Sequence, residues 1–191
     1  MIKSTDTELL PKKVAIFPLT GAVLFPGTQL PLNIFEPRYV QMIDDALASP
    51  GRVIGMIQPS KPGEKTLKKV GCLGRISTFN EAEDSRYLVT LSGTIRFEVT
   101  EELNTTTPYR QIIPDYKQYE PDLKPQEVKS IDRSKLLALV KKYLENRKIM
   151  ADWEIIKDTP TEQLINYSGI LVPFTAEEKQ LLLESKTIIT R

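Results

Sequence analysis

Short alternations of apolar and polar residues dominate the first 122 residues of this 191-residue chain. The apolar residues are often β-branched or aromatic, and Gly, Pro or charged residues separate the runs, a pattern typical of β-strands. The pattern predicts seven strands, over residues 14–19, 29–33, 53–58, 72–79, 87–92, 95–100 and 109–113. Short strands separated by turn residues favour a barrel or a sandwich over a parallel sheet.

Two hairpins are predicted within this region. Tyr87, Val89 and Leu91 alternate with Leu88 and Thr90, and an alternation resumes after Ser92 and Gly93. We therefore expect Ser92 and Gly93 to reverse the chain between two strands that have one solvent-exposed face. The polar segment 80–86 is predicted to be a second hairpin loop.

One helix is predicted between the strands. Pro37 suits the first helical turn, where a missing N–H group costs nothing, and Glu36 lies near the positive end of the helix dipole. Tyr39, Ile43 and Ala46 then recur at helical spacing. Residues 49–51, Ser-Pro-Gly, are expected to end the helix.

Helical periodicity replaces strand periodicity after a linker-like segment at 119–127. One helix is predicted around residues 136–147. Thr159 is predicted to cap a second helix, and Thr175 and Glu178 are predicted to form a capping box at the start of a third. The chain is therefore predicted to be an α+β protein, with a β subdomain over residues 1–122 and a helical subdomain over 123–191. We expect the two to pack as one unit, because a short helical tail alone exposes too much apolar surface.

The composition excludes several kinds of site. The chain has no histidine, which removes Ser-His and Cys-His nucleophiles and histidine metal ligands. Its single cysteine, Cys72, cannot form an intrachain disulfide and is expected to be a small buried apolar group. The net charge of +1 gives no general attraction to nucleic acid. No apolar run approaches 18 residues and no signal peptide is recognisable, so no membrane association and a cytoplasmic location are expected.

No enzyme motif is complete in the sequence. The segment KPGEKT, at 61–66, differs from a phosphate-binding loop, because Gln58 replaces the first glycine and Glu64 separates Gly63 from Lys65. The carboxylate pairs at 44–45, 81–84 and 101–102 are expected to be exposed, where their pKa values would not suit acid–base catalysis. The sequence therefore predicts no catalytic residue, no metal site and no cofactor.

Residues 23–43, VLFPGTQLPLNIFEPRYVQMI, form the most distinctive stretch. Its prolines, with Pro18 before it, each lack an N–H donor and indicate sheet edges, bulges and corners. One interpretation is that the stretch is structural, with Glu36 and Arg38 forming a pair. The predicted structural residues are Pro18, Gly27, Pro31, Glu36, Pro37, Arg38 and Gly93.

The other interpretation is that aromatic side chains of this stretch form an apolar patch for partner chains. The candidate peptide-binding residues are Phe25, Pro26, Phe35 and Tyr39. Phe25 is expected to be exposed beside the Pro26-Gly27 turn, whereas Tyr39 is expected to lie in the core.

Three segments carry a resemblance to a known family: IFPLTGAVLFPGTQLPLNIFEPRYVQMIDDAL, VGCLGRI and YLVTLSGTIRFEV. They resemble the N-terminal substrate-binding domain of Lon proteases, and resemble still more the stand-alone bacterial proteins made of that domain. The segment ADWE…LINYSGILVPFTAEEKQLLLE continues the resemblance. It implies a PUA-like β-barrel with one inserted helix and a C-terminal helical bundle. In the family the bundle continues beyond the position of Arg191, so a truncated chain is expected.

The resemblance also implies recognition of unfolded or tagged protein segments. The ATPase and Ser-Lys peptidase domains of Lon are missing, so the chain is expected not to be an enzyme. The leading hypothesis is a non-catalytic module that binds unfolded or extended polypeptide or a partner protein, with a protease or a chaperone as a further candidate partner. The alternatives are an RNA-binding PUA-like module, a peptidase-associated adaptor and a peptidase acting alone. The neutral charge and the lack of a basic stripe argue against nucleic acid.

Overall fold

The computed structural model describes residues 10–83, 86–125, 128 and 130–191. These residues form one mixed sheet of six strands and several helices. The strands are β1 Val14–Pro18, β2 Gln29–Ile34, β3 Val53–Ile57, β4 Val70–Glu81, β5 Tyr87–Leu103 and β6 Gln111–Asp115. The helices are α1 Pro37–Ala48, α2 Arg133–Asn146, α3 Trp153–Asp158, α4 Thr161–Leu171 and α5 Ala176–Glu184, with a 3₁₀ helix at Lys117–Leu123.

The sheet follows the order β2-β5-β4-β3-β1-β6. β1 and β3 are parallel, and the other pairs are antiparallel. The 17-residue strand β5 also pairs with β6, at the other end of this order. The pairings therefore run from β1 through β3, β4, β5 and β6 and return to β1, while β2 extends the sheet beside the first half of β5.

The predicted chain reversal at Ser92 and Gly93 is wrong, because β5 continues through both residues. Gly93 instead lies under the turn at 25–28, where its N–H donates to Thr28 O over 2.9 Å and its carbonyl accepts from Gly27 over 3.0 Å. A Cβ atom at Gly93 would overlap the carbonyl oxygen of Phe25. The glycine is thus needed for a close backbone approach rather than for a turn. A loop between β4 and β5 is confirmed, but it is shorter than predicted because Asn80 and Glu81 belong to β4. Asp84 and Ser85 lie outside the described residues.

The prolines of the distinctive stretch take the kinds of position that the sequence indicates. Pro26 and Gly27 are the central residues of a turn in which Thr28 N–H donates to Phe25 O over 3.2 Å. Gly27 has a φ of 75°, which suits the third position of a type II turn. Pro31 lies in β2, at the end of the sheet order, and Pro37 begins α1. A turn is thus confirmed for Pro26, a sheet edge for Pro31 and a helix start for Pro37.

Apolar side chains of the strands, α1, the 3₁₀ helix and α5 form one hydrophobic core. Helix α1 buries Tyr39, Met42, Ile43 and Ala46 on one face. The ring of Tyr39 lies 4.4 Å from the ring of Phe17 in β1, measured between centroids. This contact fixes α1 against the sheet and places Tyr39 in the core, as expected.

In the helical part, one of the two predicted helix starts is confirmed and the other is wrong. Thr175 and Glu178 form the predicted capping box at the start of α5. Thr159 does not cap α4, because it ends the unpredicted helix α3 and its hydroxyl donates to Ile155 O over 2.8 Å. Pro160 takes the N-cap position of α4 instead. Helices α3 and α4 are so close in sequence that Thr159, which was expected to start α4, instead ends α3.

Buried polar contacts join the helical part to the sheet. Arg96 of β5 donates to both carboxylate oxygens of Asp122, each over 2.8 Å, and to Leu183 O over 3.0 Å. Gln58 donates to the side chain of Gln180 over 3.1 Å. The segment expected to be linker-like therefore contains a structural anchor, Asp122, within the 3₁₀ helix. Gln126 and Glu127, the last two residues of that linker-like segment, lie outside the described residues.

Candidate functional site

Phe25 and Pro26 are buried, and the expected exposure of Phe25 is wrong. The side chain of Phe25 is 0% exposed. Asn166 of α4 donates to the carbonyl of Pro26 over 2.9 Å, and a Cβ atom on Gly169 would lie 2.7 Å from the Phe25 ring. Helix α4 therefore covers the turn. The two residues cannot contact a partner while this contact is intact.

Arg191 closes the same junction from the other side. Its guanidinium carbon lies 5.0 Å from the centre of the Phe25 ring, and its Nε donates to Leu182 O over 3.2 Å. A further hydrogen bond runs from Arg191 to the side-chain oxygen of Asn166. Burial lowers the pKa of Arg191 to about 10, so the side chain is charged at neutral pH. The charge lies over an aromatic face, which is a favourable cation–π arrangement.

Phe35 is the one candidate of the four whose side chain is mainly exposed. It follows the last residue of β2 and is 65% exposed. Beside it, Arg38 and Glu36 form the expected ion pair, 2.7 Å between Nη2 and Oε2, on the protein surface. Tyr39 faces inward from the next turn, with the Arg38 guanidinium 4.5 Å from its ring centre. Of the predicted peptide-binding residues, only Phe35 offers a partner a large apolar surface.

Two further apolar side chains, which were not predicted, lie near the same end of the sheet. Phe79 is 42% exposed and Leu88 is 45% exposed. Leu88 is paired with Asn33 in β2 and with Asn80 in β4. We call Phe35, Phe79 and Leu88 the sheet-end patch. The signal for Leu88 was available, because it is an apolar residue on the polar side of an alternating strand.

The sheet-end patch lies at the end of the three strands β2, β5 and β4 and has residues on both faces of the sheet. The ring of Phe79 meets the ring of Tyr87 edge-on, with centroids 4.8 Å apart. Tyr87 and Leu88 are consecutive in β5, so their side chains point to opposite faces. A chain that contacts all three patch residues must therefore pass around this end of the sheet.

Strand β2 lies next to Leu88 of the patch and has a free edge on its other side. It pairs with β5 through Gln29–Ile34, and no other described strand pairs with it. A free edge presents main-chain N–H and carbonyl groups to an incoming strand. Pro31 has no N–H group and so removes one possible donor from β2. Any added strand is therefore expected to form only a short ladder.

The surroundings of Cys72 and Glu102 shift the pKa values of these two groups away from neutral pH. Cys72 is 0% exposed, and burial raises the pKa of its thiol. The pKa of Glu102 is lowered by hydrogen bonds from Arg110, at 2.5 and 2.6 Å, which favour the ionised form. Asp84 lies outside the described residues. In the described ranges, no three Cys, Asp or Glu side chains are grouped as metal ligands.

The helices of the described residues are too short or too polar to cross a membrane.

The whole described fold resembles solved Lon N-terminal domains. A Lon N-terminal domain protein from Xanthomonas campestris superposes with a TM-score of 0.65 at 19% identity, covering 92% of both chains. The N-terminal domain of Mycobacterium avium complex Lon protease gives a TM-score of 0.66 at 18% identity, covering 93% of this chain and 92% of that one. At this identity the likeness shows the shared fold.

Sequence comparison gives the family. Residues 13–191 match the model of the ATP-dependent protease La (LON) substrate-binding domain, and the chain belongs to this family. Lon protease of Flavobacterium johnsoniae is 29% identical over 185 residues, which are 93% of this chain and 22% of that protein. Lon protease 2 of Myxococcus xanthus is 27% identical over 193 residues, covering 97% of this chain and 23% of that protein. The chain thus spans about a fifth of these relatives' length and matches the substrate-binding domain of the family.

Proposed function

We propose that this protein is a non-catalytic module that binds extended or unfolded polypeptide at the sheet-end patch. The observation that carries the proposal is that Phe35, Phe79 and Leu88, three exposed large apolar side chains, lie at one end of the strands β2, β5 and β4, of which β2 is the outer strand. Membership of a substrate-binding family supports a binding role.

The apolar surface supplies the affinity in this proposal. Unfolded polypeptides expose the apolar side chains that folded proteins bury, and contact with the patch removes both surfaces from water. Aromatic side chains contribute most per residue at such contacts, because they bury a large area at a small entropy cost. Phe35 is therefore the proposed main anchor, with Leu88 on one face of the sheet and Phe79 on the other.

The edge of β2 supplies a second, smaller contribution. Main-chain hydrogen bonds to an added strand do not depend on the sequence of the added chain. Such bonds suit a module that accepts many different segments. Since Pro31 removes a donor, the apolar contacts must carry more of the binding than the ladder does.

We also propose that the ring of strand pairings from β1 to β6 is a PUA-like barrel, and that β2 is an addition outside this ring. The pairing of β5 with both β4 and β6 supports this description. The barrel would hold the sheet end rigid. The bound polypeptide would then be passed to a separate protease or chaperone.

A binding titration tests the proposal. The client is a reduced and carboxymethylated protein, unfolded without denaturant, and its fluorescence anisotropy is followed as the full chain is added. Phe35→Ala combined with Leu88→Ala is expected to raise Kd at least about tenfold, which corresponds to a loss of about 1.4 kcal/mol. Its melting temperature should stay close to that of the wild type, because both side chains are mainly solvent-exposed or half-exposed.

A matched control separates the patch from general surface stickiness. Ile155 of α3 is also 65% exposed but lies in the helical part, away from the sheet end. Ile155→Ala should bind the client with unchanged affinity. Equal losses in Ile155→Ala and in the patch variant, or no loss in either, would refute the proposed site.

A further inference from the structure

A second site is suggested by a cavity of about 630 Å³ that none of the sheet-end patch residues lines. It lies between the start of β1, the last turns of α1 and the beginning of β3. Its floor is apolar and includes Met42, Ala46, Val53 and Leu73. The volume falls in the range of about 300–1,000 Å³ that is usual for small-molecule pockets.

Hydrogen bonds hold one wall of the cavity in place. The Tyr109 hydroxyl donates to Asp45 Oδ2 over 2.5 Å, and Gln41 donates to Asp45 Oδ1 over 2.9 Å. The end of α1 is fixed in turn, since Ser49 Oγ donates to Ala46 O over 2.7 Å. The cavity is therefore preformed, and a ligand would not have to pay for ordering this wall.

The unpaired charges of the lining are positive. Lys13 and Arg75 both line the cavity, and neither forms an ion pair within the described part of the chain. The strand register brings them to the same end of the sheet, since Val53 is paired with Arg75 and β1 runs parallel beside β3. The carboxylate of Asp45 is already engaged by two donors.

We propose that this cavity binds a small organic molecule with one carboxylate group on an apolar body. The planar guanidinium of Arg75 matches a carboxylate in a two-bond arrangement, and Lys13 adds a second positive charge. The apolar floor takes the body of the ligand. One charge fits better than two, because the carboxylate of Asp45 in the same lining repels a dianion such as phosphate.

This inference does not depend on polypeptide binding at the sheet end. The test uses decanoate, with decan-1-ol and decylamine as probes of the same length without the negative charge. Calorimetric titration of the full chain should show saturable binding of decanoate. The alcohol should bind at least about tenfold more weakly, since hydrogen bonds to a charged group contribute more than neutral ones, and the amine weaker still.

Charge variants decide which residues hold the carboxylate. Arg75→Gln and Lys13→Gln should each raise the Kd of decanoate by about tenfold. Lys12→Gln is the matched control, because it changes the net charge equally and Lys12 does not line the cavity. All three side chains are exposed at the surface, so the variants are expected to fold.

Amide NMR shifts give the location. Decanoate should shift the signals of Tyr109 and Gln111, which line the cavity, and leave those around Leu88 unchanged. Equal binding of decanoate and decan-1-ol, equal effects of Arg75→Gln and Lys12→Gln, shifts centred on Leu88, or no saturable binding would each overturn the proposal.

Discussion

The ring of Phe25 lies against the backbone of Gly169, a residue 144 positions later in the chain, so closely that a Cβ atom there would be 2.7 Å from the ring. This contact fixes α4 on the Pro26-Gly27 turn. The Pro26-Gly27 turn is therefore a junction between the sheet and the helical part rather than an exposed surface.

Phe25→Ala should therefore destabilise the protein strongly. Removing a fully buried phenylalanine leaves a cavity and typically costs about 3–5 kcal/mol. The free energy of unfolding in urea measures the effect. Phe35→Ala is the control, and its change should stay within about 0.5 kcal/mol because the side chain is mostly in water. A small effect of Phe25→Ala would show that α4 does not cover the turn in solution.

Gly93→Ala should destabilise the protein through a steric overlap. The new methyl group would overlap the Phe25 carbonyl, and overpacking of this kind typically costs about 1–3 kcal/mol. Gly51→Ala is the matched control, because its Cβ atom would lie an ordinary 3.6 Å from Val53. Urea unfolding of both variants gives the comparison. If both changes had the same small effect, the close approach at Gly93 would be wrong.

Local patterns predicted most of the strands but not what covers them. Alternation located β1, β2, β3 and β4 to within a few residues, and Pro37 located the start of α1. Ser92 and Gly93 resemble a turn in sequence, yet the glycine is used for a contact with the 25–28 turn. Nothing within a window around Phe25 indicates Gly169, so its burial could not be predicted from local composition.

The candidate site could be predicted only in part, because it also depends on contacts between residues that are distant in the sequence. Phe35 follows an edge strand that Pro31 indicates, and its exposure agrees with the expectation of an apolar patch. Leu88 could have been identified from the sequence, because it is an apolar residue on the side of the strand that is expected to face solvent. Its position beside Phe35 depends on the pairing of β2 with β5, which is a long-range contact and is invisible in the sequence.

The buried pair of Arg96 and Asp122 should be costly to break. Both side chains are almost fully buried, and the ring of Tyr119 lies 4.5 Å from the guanidinium carbon. Asp122→Ala leaves an uncompensated buried charge, which typically costs about 3–5 kcal/mol. The exposed pair of Glu36 and Arg38 provides the control, and Glu36→Ala should cost at most about 1 kcal/mol.

A double variant separates the ion pair from simple packing. Arg96→Met combined with Asp122→Leu removes both charges and keeps apolar volume, so it should be clearly more stable than the sum of the single changes predicts. Additive losses in urea unfolding would mean that the two side chains act independently, which contradicts the hydrogen-bonded geometry.

Stability at high pH should depend on Tyr109. Burial, together with the hydrogen bond to Asp45, raises the pKa of Tyr109 to about 12 from its ordinary value of 10.0. The unfolded chain therefore loses this proton near pH 10, while the folded chain keeps it until about pH 12. The free energy of unfolding should fall across this window, by at most about 1.4 kcal/mol per pH unit from this group.

Tyr109→Phe isolates that contribution from other groups that titrate at high pH. At pH 8 the wild type should be the more stable of the two, and its advantage should shrink as the pH rises from 10 to 12. Urea midpoints at several pH values measure the difference. A constant difference across the window would show that the pKa of Tyr109 is not raised by folding.

Site-specific photo-crosslinking tests the location of polypeptide binding most directly. Phe35 is replaced by p-benzoylphenylalanine in one sample and Ile155 in another, and each is irradiated with a carboxymethylated, unfolded client. The two positions are equally exposed, at 65%, so random encounters label both alike. The account predicts a strong crosslink from position 35, suppressed by excess unlabelled client, and only background from position 155. Equal crosslinking from both positions, or a stronger crosslink from position 155, would contradict it.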